Sequence, residues 1–341
     1  MRVAVIGAGT MGGTHARLLG SIEGVDEVLV VDADAERASA VAAEVAGRAV
    51  SLEAALATAD ALVVATPPAL HAEAVDAAMA RGLAVLCEKP LTEDLASSIE
   101  LTRRVEASGA HVEMGFQRRH EPGFVTGRQA VADGTAGRIQ LLRLTAFDPR
   151  VAERPWSEWP MTDAAPLFLH SSIHDFDFTR WLTGEEVVEV SADGSGRNDP
   201  RPADPRGIET AVVGMRLSGG GLAVLEATWL HPSGYDSRVE LVADGVHLTM
   251  GLSERTPAQH VDWPDAQRTP TWTHYLERYE RAYRAELIAF LAACRGERPP
   301  ASTARDGLEA MRIAVAATRA YSERRPVRID EIPGIAGAEV A

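Results

Sequence analysis

A chain of 341 residues is longer than one ordinary core requires, so two domains are expected. Hydrophobic residues at 46% and charged residues at 24% exclude a disordered chain, and no apolar run approaches the roughly 18 residues a membrane span needs. A formal charge of −15 argues against nucleic acid and anionic membranes as partners, permits a cationic one, and also serves solubility.

Cys87 and Cys294, the only cysteines, make neither a disulfide framework nor a zinc-type pair. Every basic Lys/Arg position is arginine except Lys89. The abundance of Ala, Arg and Gly suggests GC-rich coding, which drifts surface lysines to arginine. A lone lysine then marks a position where a compact, titratable charge is needed and a permanently protonated fork does not serve.

Along the chain, residues 2–6 read as a first strand; this apolar stretch is too short for a signal peptide and runs into a glycine turn, so the cytoplasm is expected. A helix through His15, Leu18 and Leu19 follows, then a strand Val28–Val31 ending at Asp32 and an alanine-rich helix Ala38–Ala46. Strands Ala61–Ala65, Ala84–Cys87 and His111–Gly115 alternate with helices His71–Ala80 and Leu95–Ala107. Such alternation predicts a parallel, doubly wound sheet. After about residue 120 longer, partly alternating strands take over: Ile139–Phe147, Val187–Ser191, Ala211–Leu217, Leu222–Trp229 and Val239–Val242. They predict a large open, mainly antiparallel sheet covered on one face, with Gly219-Gly220-Gly221 turning a hairpin and Asn198–Gly207 forming a surface loop. Tyr275–Cys294 and Gly307–Ser322 read as amphipathic helices. The expected division is α/β throughout: a Rossmann domain 1–119, a second α/β domain 120–331, and a loosely held tail 332–341.

Gly7-x-Gly9-x-x-Gly12, with Thr10 and Met11 inside it, follows a strand and opens a helix, the context a dinucleotide fingerprint requires. The first glycine permits the turn, the second lets backbone approach a pyrophosphate, and the third packs helix on strand. Free N–H groups and the positive dipole end then face the phosphates. Asp32, about 20 residues on, is placed to bind ribose hydroxyls, so NAD is expected over NADP. Asp32 would repel a 2′-phosphate, and Arg37 is the residue that would reverse the preference. Thr66-Pro67-Pro68 and His71 sit at the carboxyl end of another strand, the edge where ligands bind in open α/β sheets, as does Glu88-Lys89-Pro90.

Together with Gly115-Phe116-Gln117-Arg118-Arg119, His174-Asp175-Phe176-Asp177, Arg180-Trp181-Leu182, Gly234-Tyr235-Asp236-Ser237-Arg238 and Leu276-Glu277-Arg278-Tyr279 through Glu286-Leu287, these segments resemble the Gfo/Idh/MocA family of sugar and cyclitol dehydrogenases, in its inositol 2-dehydrogenase-like branch. The resemblance implies that Lys89 and His174 carry the chemistry, that a cis peptide precedes Pro90, and that the second sheet joins subunits into a dimer or tetramer. The chemistry agrees: a neutral histidine can take the proton of a secondary alcohol, and a lysine ammonium stabilises the developing alkoxide.

On the substrate side the candidates are His170, Asp148, Tyr235 and Asp177. The family often has an aspartate where His170 stands. Asp177, three residues after His174, orients the imidazole or pairs locally. Asp148 either meets substrate or makes an Asp-Pro turn, and Tyr235 either meets substrate or buries its hydroxyl. The spacing His170-x-x-x-His174-x-x-Asp177 also imitates metal ligands on a helix, but hydride transfer with a lysine electrophile needs no metal. Trp156, Trp159, Trp263 and Trp272, in loops rich in acids, either wall a wide pocket or pin the loops, and Tyr275, Tyr279 and Tyr283 form a stripe suited to core or interface. The function expected is NAD-dependent oxidation of a secondary ring hydroxyl on a sugar, aminosugar or aminocyclitol, within an aminoglycoside-type intermediate or free. The alternatives are a myo-inositol 2-dehydrogenase proper and a non-catalytic NAD- or sugar-sensing regulator.

Overall fold

The computed structural model describes residues 1–149, 162–257 and 270–335. The first element, β1 (Arg2–Ile6), turns through glycines into α1 (Thr10–Leu19). Then follow β2 (Glu27–Val31), α2 (Ala35–Glu44), the short β3 (Arg48–Ala49), α3 (Leu52–Thr58), β4 (Ala61–Val64), α4 (His71–Met79), β5 (Ala84–Cys87), α5 (Leu95–Ser108) and β6 (Val112–Met114). The six strands are parallel in the order β3-β2-β1-β4-β5-β6. Helices cover both faces of such a sheet, which is why its central strands are unbroken apolar runs: Val3, Ala4, Val5 and Leu62, Val63, Val64 are all fully buried. Local chemistry sets the helix starts. Asp34, Ser51 and Asp94 each accept a hydrogen bond from backbone N–H groups of the helix they open.

The second unit begins with α6 (Pro122–Ala132) and β7 (Ile139–Pro149). A π-helical turn, Leu167–Ser172, runs directly into α7 (Ile173–Thr183). Next come β8 (Val187–Ser195), β9 (Thr210–Leu217), β10 (Leu222–His231), β11 (Asp236–Ala243), β12 (His247–Met250), α8 (Tyr275–Cys294), α9 (Ala304–Glu323) and β13 (Val327–Arg328). The seven strands are ordered β12-β11-β7-β10-β9-β8-β13, all neighbours antiparallel except β7 and β10, which run parallel. Alternation is clean: Ala211, Val213, Met215 and Leu217 are buried, while Val212, on the other face, is half exposed.

Among the described residues, chain compactness divides the molecule into one unit of residues 1–120, 281–309 and 334–335 and another made of those within 121–280 and 310–333. The division is not contiguous along the chain: α8 and α9 each change unit within their length, and most of α8 joins the first unit. The expected tail is held at its start, where Ile332 is buried and Arg312 donates to the carbonyls of Ile332 and Pro333 at 2.9 and 3.1 Å. Residues 336–341 lie outside the described chain, as do Trp156, Trp159 and Trp263. Among the described residues no helix is long and apolar enough to cross a membrane.

Candidate active site

In the first unit the carboxyl ends of β1, β2, β4 and β5 carry the residues expected there. Gly7 has φ +96°, and a Cβ on it would lie 2.6 Å from the Ala65 carbonyl oxygen. One on Gly12 would overlap the Gly7 carbonyl, so the turn closes on backbone and only glycine fits. Around Gly9, by contrast, a Cβ would meet nothing within 4 Å. Gly9 is the N-cap of α1 and offers no side-chain cap to its first turn, with Thr10 exposed and Met11 half-buried behind it.

Asp32 is locked to this turn. Its carboxylate accepts from the Ala8 N–H at 2.7 Å and the Asp34 N–H at 2.8 Å, and Arg37 lies 3.2 Å from it and 3.5 Å from Asp34. Burial works against the Asp32 charge, but the two N–H groups and Arg37 outweigh it and hold the carboxyl below its usual range. Arg37 is thus already engaged by two carboxylates.

At the end of β4, Thr66 is half-buried and Pro67 exposed. His71, 1% exposed, turns both ring nitrogens to backbone: Nδ1 lies 2.9 Å from the Pro90 carbonyl oxygen and Nε2 2.8 Å from that of Thr66. Burial lowers its pKa. Beyond β5, buried Glu88 pairs with His15 at 2.7 Å and accepts the Lys89 N–H at 3.2 Å. Burial pushes the Glu88 carboxyl up, yet His15 and Lys89 hold it below its ordinary range. Lys89 is half-buried, and its bond to Pro90 is cis. Both cysteines are free, and burial raises the Cys87 thiol far out of a reactive range.

In the second unit the π-helical turn carries His170, and α7 carries His174; both are half-buried, whereas Asp175 and Asp177 are enclosed at 1% exposure. A π-turn adds a residue to the helical circuit and recurs at functional sites. Asp148, at the end of β7, accepts from Ser171 Oγ at 2.7 Å, so it is fixed beside this turn rather than being a free Asp-Pro corner. Tyr235 immediately precedes β11, whose Asp236 pairs with Phe147, the residue before Asp148. The Tyr235 loop is pinned in turn. Its N–H donates to the Trp272 carbonyl at 2.7 Å, His231 Nδ1 lies 2.7 Å from the Gly234 carbonyl, and Gly234 (φ +118°) sits so tight on Trp272 that a side chain would overlap it. Trp272 packs under the Arg255 guanidinium at 3.9 Å, which accounts for it as a pin for the loop. Tyr279 is fully buried and donates to Ser237 Oγ at 2.7 Å, a core role. Among the described residues no group of three His, Cys, Asp or Glu is arranged to hold a metal. Sequence reasoning missed His15, Ser171 and His231: none belongs to a motif, and each is revealed only by its contact.

Family models match both halves of this arrangement. Residues 1–116 match the oxidoreductase family with an NAD-binding Rossmann fold, and residues 124–248 match the GFO/IDH/MocA C-terminal domain. A protein named myo-inositol dehydrogenase Hyg17 from Streptomyces leeuwenhoekii is 36% identical, over 94% of this chain and 97% of its own. The chain belongs to the Gfo/Idh/MocA family. A second relative, the myo-inositol 2-dehydrogenase of Thermotoga maritima, is 30% identical over 98% of this chain and 100% of its own. Among solved structures, a myo-inositol dehydrogenase from Corynebacterium glutamicum superposes with a TM-score of 0.85 at 26% identity, covering 96% and 98% of the two chains. A scyllo-inositol dehydrogenase from Lactobacillus casei, solved with NAD(H) and scyllo-inositol, gives a TM-score of 0.86 over 97% and 99% at 24% identity, a likeness of fold.

This Gfo/Idh/MocA chain is accordingly an NAD-dependent oxidoreductase acting on CH–OH groups. Its own residues fit the cofactor. The open space at Gly9, the first turn of α1 without a side-chain cap and the fixed Asp32 carboxylate match a pyrophosphate followed by a ribose.

Proposed function

We propose that the protein oxidises a secondary ring hydroxyl of a cyclitol or sugar to a ketone, with Lys89 and His174 as its catalytic residues. The observation that carries this reading is the 36% identity, along nearly the whole chain, to a protein named myo-inositol dehydrogenase. Bound NAD supplies the hydride acceptor. The His174 imidazole takes the hydroxyl proton, and the Lys89 ammonium donates a hydrogen bond to the same oxygen, stabilising negative charge as it develops. Asp148 and His170 hold the neighbouring hydroxyls, backed by Tyr235, which is 5% exposed, and buried Asp177 orients the His174 imidazole. Gly7, Gly9, Thr10, Met11, Gly12, Asp32, Thr66 and Pro67 form the cofactor wall, backed by His71 and Glu88.

Two features favour an amino-substituted ring, free or within an aminoglycoside-type glycoside, over myo-inositol. An imidazole at His170 lacks the two-acceptor clamp a carboxylate offers to vicinal hydroxyls, and a net charge of −15 draws cations over a distance that salt limits to about 8 Å. The test is a panel of cyclitols, sugars, aminosugars and aminocyclitols with NAD, followed at the NADH absorbance band. Turnover on none of them overturns the dehydrogenase reading. Efficient turnover of myo-inositol with none on amino-substituted rings replaces the favoured substrate by the plain cyclitol. The same proposal places copies of the chain, as dimer or tetramer, on the open face of the second sheet, where Val212 and Leu222 are 50% and 46% exposed. Light scattering that finds only monomer at micromolar concentration refutes that part.

A further inference from the structure

Lys89 is the residue on which the proposed chemistry depends, yet a lysine side chain is long and flexible, so the place of its ammonium is decided by the backbone that carries it. That backbone is gripped on both sides. Upstream, His15 of α1 reaches 73 residues along the chain to the Glu88 carboxylate at 2.7 Å, and the other Glu88 oxygen accepts the Lys89 N–H. Both partners are enclosed, His15 at 0% and Glu88 at 6% exposure, and the Tyr283 ring stands edge-on to His15 at 6.0 Å. Downstream, His71 of α4 stands between the Pro90 and Thr66 carbonyls, one from the residue after Lys89 and one just past the end of β4; burial favours the neutral ring, whose one N–H donates to one of the two carbonyls at a time. These carbonyls lie beyond the strand ends, where the ladder no longer supplies donors. A ring at 1% exposure with both nitrogens turned to backbone is not built to touch a ligand.

We infer that His15 and His71 are positioning residues for Lys89: two buried imidazoles that tie the Glu88-Lys89-Pro90 segment to the helices opened by the glycine turn and by the Thr66 turn. The inference rests on the reading of Lys89 as the group that meets the reacting oxygen. It goes further in assigning a role to His15, which belongs to no motif, and in moving His71 from the cofactor wall to the frame behind it. The clamps hold where the lysine starts from, and a displacement of about 1 Å at a reacting group costs up to 100-fold in rate.

The sole lysine makes the test direct. Reductive methylation with carbon-13 labels only Lys89 Nζ and the N-terminal amine, so Lys89 gives one resolvable NMR signal without substrate or cofactor. His15→Phe and His71→Phe keep ring volume and remove the nitrogens; His15→Gln and His71→Gln keep a donor and serve equally should a phenylalanine not fold. Each phenylalanine variant is expected to shift or broaden the Lys89 signal and to lower kcat about 10- to 100-fold, with the NAD dissociation constant within about threefold of the parent. The glutamine variants recover part of both. In a Lys89→Ala background the same substitutions should lower residual turnover no further. An unmoved Lys89 signal with unchanged kcat overturns the inference, as does an equal loss in the presence and absence of Lys89, which marks general destabilisation. Near-normal turnover of Lys89→Ala itself overturns the role of Lys89 instead, while the NMR signal still reports whether the clamps hold it.

Discussion

Lys89 and His174 stand on elements of different character. Lys89 follows a four-residue parallel strand whose last three residues are buried, and its flanking groups meet backbone carbonyls, a backbone N–H and one carboxylate. His174 follows a π-helical turn, and a described tie beside it, Ser171 to Asp148, joins two polar side chains. Around Lys89 the described ties run largely to backbone, whereas the described tie beside His174 joins two side chains.

The largest effects fall on the two residues themselves. Lys89→Ala and His174→Ala are each expected to lose at least about 100-fold in kcat, because on the proposed mechanism each removes a charge or proton relay that the transition state uses. Both should still bind NAD with little change, measured by titration without substrate. Turnover near the parent value in either variant would remove that residue from the chemistry.

A smaller loss is expected at Asp32. Asp32→Ala deletes the acceptor for the Ala8 and Asp34 N–H groups and frees Arg37 from one of its two carboxylates. Charge-assisted bonds of this kind carry about 1.5–3 kcal/mol, so kcat/KM with NAD should fall roughly 10- to 100-fold. The ratio of NADP to NAD efficiency should rise as Arg37 turns to a 2′-phosphate. An unchanged ratio would show that Arg37 plays no part in cofactor choice.

The same contrast explains what could be read in advance. The glycine turn, Asp32 and the strand ends were legible because a buried parallel sheet needs unbroken apolar runs and a pyrophosphate needs bare backbone. The bounds of β1, β5 and α8 agree with the pattern residue for residue. Helix α6 went unseen: PGFVTGRQAVA holds two glycines and opens on proline, and its support is tertiary, with Phe124 fully buried and Gly127 leaving room for the Met250 sulfur. The parallel pairing of β7 with β10, the π-turn before His174 and the His15–Glu88 bond are long-range or irregular, and hydrophobic periodicity does not encode them.

Beside His174, Ser171→Ala should remove a hydrogen-bond donor to Asp148. A single hydrogen bond is worth about 1 kcal/mol, so KM for the best substrate should rise roughly fivefold with kcat within about twofold. A fall in kcat at constant KM would instead place Asp148 in the proton path of His174.

The smallest effect concerns stability, and it returns to the first unit. Glu286, in the part of α8 that joins the first unit, is 2% exposed, and neither carboxylate oxygen has a hydrogen-bond partner among the described residues. Burial, with the like charges of Glu88 and Glu113, raises its pKa well above the ordinary 4.5. A raised folded-state value means that the folded chain binds a proton the unfolded chain has released. The stability this group contributes is fully present below pH 4.5 and is lost as pH rises through the folded value. Glu286→Gln keeps the shape and cannot ionise, so it should raise Tm by a few degrees at pH 8, corresponding to about 1 kcal/mol, with the gain shrinking toward zero near pH 4.5. His120 works in the opposite sense: burial and the Arg298 cation pull it to about 4, so stability is lost as pH falls from 6.5 toward that value. That contribution is common to both proteins and cancels in their difference. A Tm difference that stays constant from pH 5 to pH 8 would show that Glu286 does not hold a proton in the folded chain.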